Sequence, residues 1–338
     1  MYRFLFLCLP LFFSLLSGKE MRQYKISGFA QGTDYAIMYY ARDSVATKSG
    51  IDSLLNEIDL SMSLYKKGTL INQFNTADKQ IKVDRFLNDV LKRSFEINAD
   101  TKGIFDITVA PLVEAWGFGP KENLNEPDRK QVNEILKCVG MKNLQLKNGF
   151  LTKTKPCIQI DLNGIAQGYS VDLIAAYLSK KGLKSYVAEL GGEIRIAGPK
   201  PDGTPMKIGI EGPNEDGTPI IRHIALLNDG AITTSGNYRK FHQSGKKKIS
   251  HLIDAKTGYP LENEMISVTV YAKDAITADG YDNALMGMHL ADAMKFVENR
   301  KELEAYFVYH KSDGTVTDTL TRGFEKMVRS PESEVRSQ

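Results

Sequence analysis

Cysteine is scarce: there are three in 338 residues. That is too few for a disulfide framework, and no Cys/His spacing resembles a zinc site. Cys138 follows the helical pattern Val132, Ile135, Leu136, and Cys157 precedes an apolar run, so both are expected as buried free thiols. Charge of one sign is also missing. Lys and Arg number 44 against 41 Asp and Glu, a net charge of +3, and no basic run is interleaved with aromatics. A groove that tracks and stacks nucleic acid is thereby excluded, and KKK at 246–248 reads as a solvated loop. No internal repeat and no low-complexity linker divides the chain, and neither GxGxxG nor a Walker loop occurs.

Long apolar runs are absent as well. The longest, Phe4 to Leu16, falls short of the roughly 20 residues a membrane-spanning helix needs. Arg3 precedes it, Pro10 interrupts it, and Ser17-Gly18 close it, which is the pattern of a secretory signal. Bulky Leu7 before Cys8 argues against lipid attachment there. Residues 1–18 are therefore expected to be an export signal, with an uncleaved N-terminal anchor as the alternative, and the mature protein to lie in the periplasm or cell envelope. Residues 19–323 read as one catalytic unit, and 324–338 as a polar tail.

What is present alternates between helix and hairpin. Residues 24–41 predict two strands around a Gly-Thr-Asp turn. Apolar spacing predicts helices over 45–60 and 84–99, Pro127 opens a third that stops near Gly140, and another runs from Ile165 to Lys181 before Gly182. Strands are expected at 157–162, 185–196, 206–211, 222–227, 266–272 and 304–310, with helices near 275–288 and 291–300. Frequent hairpin-like connections point to an α+β fold with a largely antiparallel sheet and flanking helices.

Several segments are richer in Gly and polar residues than connections require. GIFDITVAPLVEAWGFG (103–119) holds the only Trp, bracketed by glycines that let backbone approach a flat ligand. DLNGIAQGYSVD (161–172) runs from strand to helix through Asn163-Gly164. Such a turn presents free N–H groups and a positive dipole end to an anion; the alternative is a plain connection capped by Asn163. ELGGEIRIAG (189–198) has adjacent glycines within a strand-like run. In SHLIDAKTGYP (250–260), His251 precedes Asp254 in a polar loop, a setting for general-base chemistry. In ADGYDNALM (278–286), helical spacing stacks the side chains of Asp279 and Asn283 on one face. Hard oxygen ligands so placed suit Mg²⁺; the alternative is a helix-capping Asp279 and a solvent-facing Asn283.

Taken in order, GTDY, MSLYKK, GIFDITVAPLVEAWGFG, DLNGIAQGYSVD, LGGEI, TTSGNY, HLIDAKTG and SVTV…ADGYDNALM resemble the ApbE family of flavin transferases, over about residues 28–290. The resemblance implies a T-fold-like α+β architecture with a flavin cleft, and Mg²⁺ on the diphosphate of FAD. It implies transfer of FMN to a Thr hydroxyl of an acceptor protein, with release of AMP. The acceptor class it implies is a flavin-carrying subunit of a membrane redox complex with a Thr-containing motif. Carried over by motif, Gln31, Tyr65, Ala115, Trp116, Gly117, Asp161, Gln167 and backbone at Ile253 would contact FAD. The Gly164 carbonyl, Asp279 and Asn283 would hold the metal, and His251 would take the proton of the incoming hydroxyl. This chain departs from the family's usual Met at Gln31, Lys at Gln167 and Thr at Asn283. Rival readings are a Mg²⁺-dependent FAD pyrophosphatase, with water in place of the hydroxyl, and an FAD-storage protein of the envelope. A carbohydrate or peptide hydrolase lacks a nucleophile motif or a placed carboxylate pair.

Overall fold

The computed structural model describes residues 20–120, 126–214, 218–237, 241–244 and 247–330. The expected export signal, and the lysine at 246, lie outside them. Chain order begins with the hairpin β1 (Arg22–Ala30) and β2 (Thr33–Ala41), then helices α1 (Lys48–Met62) and α2 (Leu70–Thr76), β3 (Gln80–Lys82) and α3 (Arg85–Asp100). A short α4 (Ala110–Ala115), α5 (Arg129–Leu136) and the hairpin β4 (Leu144–Lys147) and β5 (Phe150–Lys153) follow. After α6 (Ala166–Lys180) come β6 (Tyr186–Leu190), β7 (Glu193–Ala197), β8 (Met206–Pro213), β9 (Pro219–Leu227), β10 (Asp229–Gly236), β11 (Phe241–Ser244), β12 (Lys247–Ser250) and β13 (Met265–Ala272). The chain then forms α7 (Ala275–Met286), α8 (Leu290–Glu298), β14 (Glu304–His310), β15 (Val316–Leu320), α9 (Arg322–Met327) and β16 (Val328–Arg329).

An eight-stranded sheet in the order β1-β2-β6-β7-β10-β13-β14-β15 is antiparallel at every pairing. The α+β expectation holds. Helices α1, α3, α6 and α7 cover one face, and the small sheet β16-β9-β8 covers the other. The period of two explains the near-continuous apolar sequence of β14. Ala305 and Phe307 face the helices, while Tyr306 and Val308 enter the second core. No helix among the described residues is long and apolar enough to cross a membrane.

Five sequence expectations need correction. Lys247 and Lys248 belong to strand β12 rather than to a loop. The run 185–196 is two strands, because Gly191 and Gly192 both adopt positive φ (69° and 111°) and turn the chain. Residues 157–162 make no ladder, although Ile158, Ile160 and Leu162 are buried in alternation; scattered side-chain and loop backbone groups rather than a neighbouring strand satisfy the backbone. The chain stays packed beyond residue 324, since Phe324 is buried and β16 pairs with β9. Finally, Cys138 and Cys157 are not free thiols but a disulfide, with Cα atoms 5.6 Å apart. Neither residue's flanking pattern reported where the other's would bring it.

Candidate functional site

Helices α6 and α7 build the polar end of the site by capping each other. Asp279, in the middle of α7, accepts the Gly168 N–H of the first turn of α6 at 2.8 Å. Asp172, further along α6, accepts the Ala275 and Ile276 N–H groups that open α7, at 3.0 and 2.8 Å. Each helix thus places an acid on the positive end of the other. Gly168 is what allows the approach. A Cβ there would lie 2.3 Å from the Ala275 carbonyl oxygen and 2.7 Å from Asp279 Cβ. Asp274, not Asp279, is the N-cap of α7, and the N-cap position of α6 is Ile165, which makes no cap bond of its own, so Asn163 does not take that role either.

Asp279 and Asp282 are both almost fully buried. Burial pushes both carboxyls well above the ordinary aspartate range. The Gly168 N–H partly restrains Asp279, and the Asp279 charge pushes Asp282 up further. Between them sits Asn283. Its amide nitrogen lies 3.3 Å from the Gly164 carbonyl, 3.1 Å from the Asp279 carbonyl, 3.3 Å from Asp279 Oδ1 and 3.0 Å from Asp282 Oδ1. An amide has two hydrogens, so four acceptor oxygens converge where two at most can be satisfied. Ser235 donates to Asn283 Oδ1 at 3.3 Å. Surplus hard oxygens around buried acids fit a small divalent cation. Among the described residues no group of three or more His, Cys, Asp or Glu forms a metal cluster, so a cation here rests on mixed carboxylate, amide and carbonyl oxygens. Asp282 stood in the stretch 278–286 without a role, because the i, i+4 pairing of Asp279 with Asn283 drew the assignment away from it.

The turn 161–164 joins this end to Tyr65. Asp161 donates its N–H to Ile107 and accepts the Asn163 N–H at 2.7 Å. The largely exposed Tyr65 phenol is pushed up by partial burial and the Asp161 charge, and held down by a hydrogen bond with Asn163. Gln31, in the left-handed region at φ 53°, reaches α6 through Ser170 at 2.9 Å. Gln167 lies over the Gly191 turn: a Cβ on Gly191 would sit 3.1 Å from its Nε2 and 3.2 Å from Glu193 Oε2. Glu193, a buried acid beside Gln167, was not anticipated. In the sequence it is simply the start of a strand.

The apolar end gathers the aromatic residues. Ala115 ends α4, Trp116 donates its indole N–H to the Gly258 carbonyl at 2.9 Å, and Gly117 takes φ 82°. Trp116 packs 5.8 Å from Tyr259, Phe118 meets His251 edge-on at 6.2 Å, and Ile253 joins the same small apolar cluster as Trp116. The two loops brought together here are therefore GIFDITVAPLVEAWGFG and SHLIDAKTGYP. Asp254 does not orient His251. Its oxygens accept from the Lys256 N–H and the Thr257 hydroxyl, folding the KTG turn instead. Asn263 then ties the loop to the end of α7 through the Met286 and Met288 carbonyls.

The ApbE family profile matches residues 31–307. The chain belongs to the ApbE family. It is 37% identical over 294 residues to the FAD:protein FMN transferase of Vibrio cholerae, covering 82% of this chain and 88% of that protein. The solved flavin transferase ApbE from Vibrio cholerae superposes with a TM-score of 0.83 at 34% identity, covering 91% of this chain and all of that one. The apo flavinyl transferase ApbE of Pseudomonas stutzeri superposes with a TM-score of 0.81 at 28% identity, covering 91% and 97%.

Proposed function

We propose that this protein is a transferase, an FAD:protein FMN transferase that moves the FMN half of FAD onto a Thr hydroxyl of an acceptor protein and releases AMP. The observation that carries the reading is the convergence of Gly164, Asp279 and Asp282 oxygens around the Asn283 amide at the joint of α6 and α7, within a chain of the ApbE family. Gly164, Asp279 and Asn283 are the residues to hold Mg²⁺, whose chemistry there is neutralisation of the diphosphate charge. Tyr65, Asp161, Gln31, Gln167 and the Ala115–Gly117 segment bind and orient FAD, with backbone at Ile253. Gln167 supplies a neutral amide rather than a cation, and the Ala166 and Gly168 N–H groups at the start of α6 are already taken by the Leu162 carbonyl and by Asp279, so more of the anion's stabilisation would fall to the metal. His251 accepts the proton of the attacking hydroxyl. Phosphoryl transfer needs positioning and charge stabilisation more than covalent chemistry by the protein, which suits a site of rigid helix ends and short loops.

Export to an oxidising compartment is part of the proposal. It is supported by the Cys138–Cys157 disulfide, because such bonds persist outside the cytosol. The acceptor we infer is a flavin-carrying subunit of a membrane redox complex. The test incubates the protein with FAD, Mg²⁺ and a Thr-containing acceptor domain. Flavin fluorescence on the acceptor band after denaturing electrophoresis, with AMP released, supports transfer. AMP and free FMN without a labelled band would establish hydrolysis instead.

A further inference from the structure

Residues 156–161 run from the surface into the core without a neighbouring strand, and they are held by groups from four other segments. Lys153, at the end of β5, is almost fully buried. Its ammonium donates to the carbonyls of Phe74, Pro156 and Ile158 at 2.9, 3.0 and 2.9 Å, matching three donors to three acceptors. Burial pushes this amine's pKa down, and Asp78 partly restores it. Asn75, in the last turn of α2, grips Ile160 at two points: its amide donates to the Ile160 carbonyl at 2.9 Å and its oxygen accepts the Ile160 N–H at 2.8 Å. Asp161 donates to Ile107, and Cys157 is tied to Cys138. Directly after this strap come Asp161, Asn163 and Gly164.

The same helix fixes the opposite wall. Asn72 of α2 donates to the Lys66 carbonyl at 2.6 Å and to the Ser63 carbonyl at 3.4 Å, and Thr69 donates to Ser63 at 2.8 Å. These bonds shape the loop that carries Tyr65. Helix α2 therefore holds Tyr65 with one side chain and the Asp161–Gly164 turn with another, and its Phe74 carbonyl is the anchor for Lys153. A buried ammonium with no carboxylate in its hydrogen-bond shell is an expensive way to hold a loop. A hydrophobic residue of similar length would fill the space, but would take the ammonium away from all three carbonyls, of which only that of Phe74 has a second donor, the Ala77 N–H at 3.2 Å.

We propose that Lys153 and Asn75 are positioning residues that set the distance between Tyr65 and the Asp161–Gly164 turn, and so preorganise the flavin site. The inference rests on the reading that FAD binds between these two elements. The experiment compares wild type, Lys153→Met, Asn75→Ala and, as a remote control in the second core, Asp318→Asn. Each is measured by FAD titration well below its melting temperature and by hydrogen–deuterium exchange. Asn75→Ala should weaken FAD binding on the order of tenfold and raise exchange selectively over 156–164 and 63–67. Lys153→Met should do so at least as strongly. The control should leave FAD affinity within about twofold at a comparable loss of melting temperature. FAD affinity unchanged in Asn75→Ala, or exchange raised uniformly across the chain, overturns the proposal, and Asn75→Ala decides the matter even if Lys153→Met does not fold. If wild type binds no FAD, the function reading fails, and the exchange data alone still decide whether the network holds the strap.

Discussion

Adding one methyl group at Gly168 tests the helix-to-helix joint directly. The Cβ of Gly168→Ala would stand 2.3 Å from the Ala275 oxygen and 2.8 Å from its carbonyl carbon, both backbone atoms that cannot rotate away. Ordinary contact begins near 3.4 Å, so α6 and α7 must part by roughly 1 Å, a displacement that costs about 10²-fold when it reaches reacting groups. Two costs then follow for the fold. Overpacking a tight interface costs about 1–3 kcal/mol, and stretching the buried bond from the Gly168 N–H to Asp279 costs about another 1–3 kcal/mol. A chain of this size loses about 2 °C of melting temperature per kcal/mol, so a fall of roughly 5–10 °C is expected by thermal unfolding. Flavin transfer in the same variant should drop about 10²-fold with the protein still folded at 25 °C. Wild-type melting temperature together with wild-type transfer in Gly168→Ala would refute the claim that this glycine sets the joint.

Four further outcomes are expected. Asp279→Asn keeps an oxygen for the Gly168 N–H while removing the charge, so melting should change by no more than a few degrees while transfer is lost; full transfer at low Mg²⁺ would remove Asp279 from the site. His251→Ala should slow transfer about 10²- to 10⁴-fold with FAD affinity little changed, and an equal loss of affinity would make the ring a packing element. Asp318 is held down to about 2, first by His223 and then by Tyr306 and Arg222, against partial burial. Its stabilisation, about 2 kcal/mol, is therefore complete above its unfolded value near 3.8 and lost as pH falls towards 2. Asp318→Asn should lower melting at pH 6 and narrow that gap below pH 3, and a pH-independent difference would contradict it. Cys157→Ser, or reduction of wild type, should cost about 3 kcal/mol for a loop of this length, read from denaturant midpoints.

Much of this architecture was legible from periodicity. The spacing in α1 and α3 and the alternation in β1 and β2 place those elements to within a few residues. Legibility failed where tertiary partners replaced local ones. The hairpin β4–β5 turns through Asn148 and Gly149, both at positive φ; an Asn-Gly pair beside the alternating Leu144 and Leu146 is a hairpin signal that was present in the sequence and went unread. Asn75 serves as the missing neighbour of Ile160, and nothing near position 160 announces that a residue 85 places earlier completes its backbone bonding. The same limit applied to the site. Asp279 and Asn283 stood out by spacing, but spacing does not announce that Asp279 is buried and bonded to the Gly168 N–H of a distant helix. His251 stood out by rarity, but Asp254 beside it in sequence serves the turn.

The mutual capping of α6 and α7 also dictates when in folding the site can exist. Gly168 and Asp279 are 111 positions apart, and Asp172 and Ala275 are 103 apart. Closing loops of that length carries an entropic cost that must be met before either bond returns anything. The joint therefore belongs to the late, low-φ part of the folding route: Asp279→Asn should alter the unfolding rate and leave the refolding rate nearly unchanged. A chain emerging from the N-terminus has Tyr65, Trp116 and Gly164 in hand long before α7 arrives. Until then it would hold the proposed aromatic contacts for a flavin without the acid proposed to hold the metal.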